Sequence, residues 1–192
     1  DTAADIVMSL DERELAGILW EYGEERASRR IARAIVRARE TGPITTTGEL
    51  AAIIHAVMPA RRPGQIDPAT RSFQALRIYI NRELGEVEDG LAAAEAMLKP
   101  GGILAVVSFH SLEDRIVKRF LTERSSGAAR PSRHMPVTEG PAPTFELVSR
   151  KPIAPSEAEA QTNARARSAK LRVARRTEAP VAPRPTKPKR RS

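Results

Sequence analysis

Apolar residues recur at helical spacing through the first half of the chain. Leu10, Leu15, Ile18, Leu19 and Tyr22 share one face behind Ser9 and Glu12, whose spacing is that of a capping box, so a helix is expected near 10–22. Ala27, Ile31, Ala34, Ile35 and Ala38 mark a second over about 24–40, stopped by Gly42 and Pro43. Thr46 and Glu49 repeat the capping box before Leu50, Ile53, Ile54 and Val57. After a loop rich in Arg, Pro and Gly at 58–66, Asp67 can cap and Pro68 can enter the first turn of one long helix. Its stripe is Phe73, Leu76, Ile80, Leu84, Val87, Leu91, Ala94 and Leu98, ending at Pro100 and Gly101.

The pattern then changes. Residues 103–109 (ILAVVSF) form a continuous apolar run with β-branched members, as expected of a strand covered on both faces. Residues 111–123 return to helical spacing through Leu112, Ile116, Val117, Phe120 and Leu121. Helix, strand, helix predicts a doubly wound α/β unit. Residues 125–143 read as an exposed loop, and 145–148 and 168–174 as two weaker late strands. Residues 177–192 lack the apolar surface to fold and read as a disordered basic tail.

Charge divides the chain unevenly. The whole carries 32 Lys and Arg against 24 Asp and Glu, a net of +8. Residues 161–192 hold 11 of those basic groups and one acid, Glu178, for +10, leaving residues 1–160 at 21 against 23, or −2. The excess that would attract an anionic partner is therefore terminal. No cysteine is present, which excludes disulfides and thiolate metal sites and fits a reducing cytoplasm. His55, His110 and His134 are too scattered for a metal centre, and no apolar run reaches membrane-spanning length.

Candidate chemistry gathers at residues 108–114 (SFHSLED), since ligands of a parallel sheet bind beyond the carboxyl ends of its strands. The same residues have a plainer reading, with Ser111 as a helix cap, Glu113 and Asp114 at the positive helix start and His110 in the turn. Gly101 and Gly102 precede the strand, so they form neither a dinucleotide fingerprint nor a Walker loop. Arg26, Arg30, Arg33 and Arg37 stand at i, i+4, i+7 and i+11, a basic helix stripe suited to phosphates or to solvent. Arg165 and Arg167 form a second basic group, and the lysines and arginines of 187–191 read as a nonspecific polyelectrolyte.

Tyr22-Gly23-Glu24-Glu25-Arg26, residues 30–35 (RIARAI), 68–78 (PATRSFQALRI), 81–84 (NREL), 108–118 (SFHSLEDRIVK) and 163–172 (NARARSAKLR) follow one another in an order that closely resembles the RsmH (MraW) family. The resemblance covers residues 1 to about 176. It implies a class I, Rossmann-like methyltransferase sheet with an inserted helical domain. Residues 1–66 would be most of the insert, and 67–176 the C-terminal half of the α/β domain, with 103–109 as the fifth strand and 145–149 and 168–174 as a closing pair. The implied activity is S-adenosyl-L-methionine-dependent methylation of a cytosine N4 in 16S ribosomal RNA, at the decoding centre of the small subunit. The amine's lone pair is delocalised into the ring, so such a site must align and polarise it, and the base must leave its stack.

On the same resemblance His110, Ser111 and Asp114 are candidates for the nucleotide pocket. Arg71, Arg77 and Asn81 would organise the same edge, and together with Arg26, Arg30, Arg33, Arg37, Arg165 and Arg167 they would bind RNA. The family's glycine-rich donor loop, ribose-holding acid and DLGVSS-like motif have no counterpart here, so no cofactor-binding residue is assigned. The sequence opens at Asp1, and the 192 residues are expected to be a fragment that binds the donor poorly and is inactive alone. An RNA-binding remnant without the donor site is the alternative, and a DNA-associated helical protein a third reading. Oligomeric state is open, a homodimer included.

Overall fold

The structure, a computed structural model, describes residues 2–59, 66–126 and 142–181. The predicted loop at 125–143 and the basic tail fall mostly outside these residues. The chain is α/β and divides into two compact units, Asp1–Glu83 and Leu84–Ser192.

The first unit is helical: α1 (Ala3–Ser9), α2 (Glu12–Gly23), α3 (Ser28–Thr41), α4 (Thr47–Val57) and α5 (Thr70–Asn81). Capping boxes start three of them, Thr2 with Asp5, Asp11 with Glu14, and Thr46 with Glu49. The Ser9 and Glu12 spacing is not used, because α1 runs through Ser9, whose Oγ donates to the Asp5 carbonyl at 2.6 Å. Leu15, Leu19, Ile31, Ile35 and Ile54 form the core of this unit, each at most 1% exposed. Burying one such side chain stabilises by about 1.5–3 kcal/mol. Helix α5 packs on α2, so the unit extends to Glu83 instead of stopping at residue 66.

The predicted long helix breaks at Arg82, which sits in the left-handed region (φ 52°, ψ 31°), and α6 (Glu83–Met97) starts anew. No glycine marks the break. The Glu83 carboxylate holds it instead, accepting from Arg77 Nη2 at 3.2 Å and from Asn81 Nδ2 at 3.3 Å, with Arg77 Nε in ion-pair contact at 2.9 Å.

The second unit contains α6, β1 (Ile103–Ser108), α7 (Ser111–Ser125), β2 (Phe145–Leu147), α8 (Glu157–Thr162), a 3-10 turn (Ala164–Ser168) and β3 (Lys170–Arg176). The sheet order is β1-β3-β2, with β3 antiparallel to both neighbours and registers Ile103↔Arg175 and Phe145↔Arg176. The described strands are therefore not a parallel run; β3 is reversed between β1 and β2. Leu91, Leu104, Val117, Phe120, Leu121, Phe145 and Ala174 make the core. Among the described residues the other face of β1 is left open, with Ile103 and Val107 about half exposed, and Val148 and Ile153 are exposed as well. The expectation that 103–109 is covered on both faces is thus corrected, because the buried positions of β1 alternate with exposed ones.

Candidate nucleic-acid interface

The basic stripe of the first unit begins later than its spacing suggests. Glu24 closes α2 in the left-handed conformation (φ 49°), and the buried Glu25 carboxylate accepts from the Ala27 N–H at 2.9 Å. Helix α3 therefore starts at Ser28, and Arg26 lies in the turn before it. Arg30, Arg33 and Arg37 remain on the helix, all exposed with Arg26. Arg33 is held by Glu12, Nε to Oε1 at 3.2 Å, and Arg30 Nη2 lies 3.7 Å from Met58 Sδ. Arg39, which drew no attention in the sequence, donates to the carbonyls of Val7 and Leu10 at 2.8 and 2.7 Å, satisfying the C-terminal end of α1.

On α5, Arg71 is exposed, whereas Arg77 and Asn81 are engaged by Glu83. The Arg71 carbonyl has a separate role. A Cβ built on Gly23 would stand 2.7 Å from it and 3.1 Å from Ala75 Cβ, so the glycine of the Tyr22–Arg26 motif lets α2 approach α5.

At the exit of β1 the cap is His110, not Ser111, which becomes the first helical residue. His110 Nδ1 accepts from the Glu113 N–H at 3.4 Å, and Glu113 Oε2 accepts from the Phe109 N–H at 3.0 Å, a reciprocal cap. His110 Nε2 is 3.2 Å from Glu113 Oε1 but off the hydrogen-bond direction, leaving it without a hydrogen-bond partner among the described residues. Asp114 faces β3: Oδ1 accepts from Arg172 Nε at 2.7 Å, and Oδ2 from Arg172 Nη2 at 3.1 Å and Lys170 Nζ at 3.3 Å. The Arg172 guanidinium holds its carboxyl below the usual carboxylate range, outweighing burial.

Arg165 and Arg167 are exposed on the 3-10 turn, where Asn163 Oδ1 accepts from the Arg165 N–H at 3.1 Å. Two other basic residues counted with the terminal charge turn inward. Arg172 packs on Asp114, and Arg176, 6% exposed, donates to the carbonyls of Glu95, Thr144 and Thr177. Buried Glu95 in turn accepts from Arg124 Nε at 2.6 Å and from the Thr144 hydroxyl. The exposed guanidinium groups suit phosphate oxygens, while these inward ones fix the end of the sheet.

A family profile described as the MraW methylase family matches residues 1–177. The chain belongs to that family. This MraW chain is 61% identical over 181 residues to a protein of Caulobacter vibrioides named Ribosomal RNA small subunit methyltransferase H, covering 94% of the chain and 58% of the relative. Proteins of the same name from Paramagnetospirillum magneticum and Cereibacter sphaeroides are 60% and 58% identical, covering 94% and 95% of the chain and 57% and 55% of those relatives. The MraW chain thus spans little more than half the length of these relatives.

MraW membership implies S-adenosyl-L-methionine as methyl donor, and the described residues do not make a cradle for it. At the exit of β1, Glu113 is committed to the Phe109 amide and Asp114 to Arg172 and Lys170, so neither carboxylate is available to a ribose. The glycines beside β1 turn the chain into the strand, Gly101 at φ 82° with its N–H donating to the Arg176 carbonyl at 2.8 Å. Among the described residues no group of three or more His, Asp or Glu is placed to hold a metal ion, and no helix is long and apolar enough to cross a membrane.

Proposed function

We propose that this chain forms part of an S-adenosyl-L-methionine-dependent enzyme that methylates N4 of a cytosine in 16S ribosomal RNA, at the decoding centre of the small subunit. In this reading the first unit is the inserted helical domain, and β1, β3 and β2 are the closing strands of a class I, Rossmann-like sheet. The observation that carries it is 58–61% identity, across at least 94% of the chain, to proteins named Ribosomal RNA small subunit methyltransferase H. The reversed β3 between β1 and β2 fits the closing pair that the resemblance implies. No step of the donor's chemistry is assigned to residues of this chain.

In the same reading Arg26, Arg30, Arg37, Arg71, Arg165 and Arg167 meet the RNA backbone, and His110 and Ser111 border the nucleotide pocket, with Asp114 positioning them through β3. The test joins the chain, by co-expression, with the N-terminal segment of the Caulobacter relative. Small subunits lacking the modification are then supplied with methyl-labelled donor, and their nucleosides separated. Label in N4-methylcytidine is expected; label confined to another nucleoside sinks the assignment. Unchanged turnover in His110→Ala or Arg71→Ala removes that side chain from the site.

The arginine contacts have their own readout. Arg30→Ser with Arg37→Ser should reduce the salt-dependence slope of RNA binding by about 1.4, since each phosphate contact to a single strand contributes about 0.7. An unchanged slope, measured by anisotropy across a potassium chloride series, returns both residues to the solvated face.

A further inference from the structure

An open groove of about 1160 Å³ lies in the first unit, along α2 and the start of α3. Arg13, Gly17, Trp20, Arg26, Arg29 and Arg30 line it. Trp20 is 60% exposed, although an indole is among the largest apolar surfaces a protein can bury. Arg13, Arg26 and Arg29 are also exposed, and none has a carboxylate within ion-pair distance among the described residues. The acidic group in the lining, Glu12, is already matched by Arg33. Gly17 stands one helical turn before Trp20, and a Cβ built there meets nothing within 4 Å. Glycine is a poor helix former, and no packing requires it in mid-helix here; its effect is to keep the groove open.

We propose that this groove binds unpaired RNA, with one base stacked on the Trp20 indole and the flanking phosphates held by Arg13, Arg26 and Arg29. An exposed aromatic plane inside a cationic groove is how single strands are bound without duplex geometry, because every base has a π-face and every linkage a charge. A duplex offers no free base face, because its bases are already stacked and paired. The inference rests on the reading of the chain as an RNA-binding protein and adds a stacking subsite to it.

Trp20 is the only tryptophan in the chain, so its fluorescence reports the groove directly. The full chain is titrated with an unstructured oligoribonucleotide, with the same strand in duplex, and with inorganic polyphosphate. Saturable quenching by the single strand, and little by duplex or polyphosphate, is expected. Trp20→Leu should weaken binding of labelled single strand about tenfold, and Trp20→Phe should restore much of it. Gly17→Leu, which improves the helix while filling the groove, should weaken binding as well, and circular dichroism should show both variants folded.

Unchanged fluorescence while RNA binds, or wild-type affinity in Trp20→Leu, overturns the proposal. A shift in emission on concentrating the protein alone, with a dimer mass in sedimentation, also overturns it by giving the groove to a second copy. Single strands from the decoding region and of unrelated sequence are run in parallel. Equal binding of the two counts against the ribosomal assignment alone, because quenching by either strand still supports the groove.

Discussion

Replacing Asp114 with alanine should destabilise the second unit by about 3–5 kcal/mol, the range for removing one partner of a buried ion pair. The Arg172 guanidinium, 10% exposed at its side chain, would be left without its carboxylate and with little water to replace it. Amide exchange along β3 should then accelerate by about two orders of magnitude or more, read by mass spectrometry. Asp114→Leu combined with Arg172→Met should recover much of the loss, since it removes both charges together. The pH dependence has a definite sign. A carboxyl held below its ordinary value in the folded state contributes stability above its unfolded pKa of about 3.9, and that contribution is lost as pH falls through the depressed folded value. Asp114→Asn should flatten stability against pH below about 4, and an unaltered acid profile would assign the pair no role in it.

Gly23→Ala should destabilise the first unit by about 1–3 kcal/mol, as overpacking at a close contact does. The added methyl meets the Arg71 carbonyl at 2.7 Å, which is backbone and has no rotamer to escape into. Either α5 moves off α2 or the end of α2 unwinds, and both displace Arg71. Urea unfolding followed through Trp20 reads the effect, and a midpoint equal to the parent's would show that the helices part without penalty. Reduced RNA affinity in folded Gly23→Ala would connect this packing contact to the arginine it carries.

Local chemistry made the helices legible. Thr46 and Glu49 cap α4 as their spacing predicts, and β1 and α7 fall within two residues of their expected ends. The misplaced starts come from competition between adjacent signals. Ser9/Glu12 and Asp11/Glu14 have the same spacing, and only the presence of α1 decides between them. The break at Arg82 carries no glycine or proline, and its support, Glu83, is recognisable only once Arg77 and Asn81 converge on it. Asp114 looked like a helix-start acid or a pocket group, because its partner Arg172 lies 58 residues away. The arginine stripe is visible as a pattern, whereas nothing in the spacing singles out Trp20, whose exposure beside Arg26 and Arg30 shows only in the folded unit.

The six residues of β1 meet β3 along one edge only among the described strands. Antiparallel pairing turns alternate amides toward the partner, so half of the N–H groups of β1 point away from β3. Deuterium uptake along the strand should therefore alternate, slow at the amides turned toward β3 and fast at those between. Any polypeptide that adds to the open edge would slow the fast set and leave the other unchanged. The amides of one short strand thus become a gauge of whether that edge has been joined, and in which register.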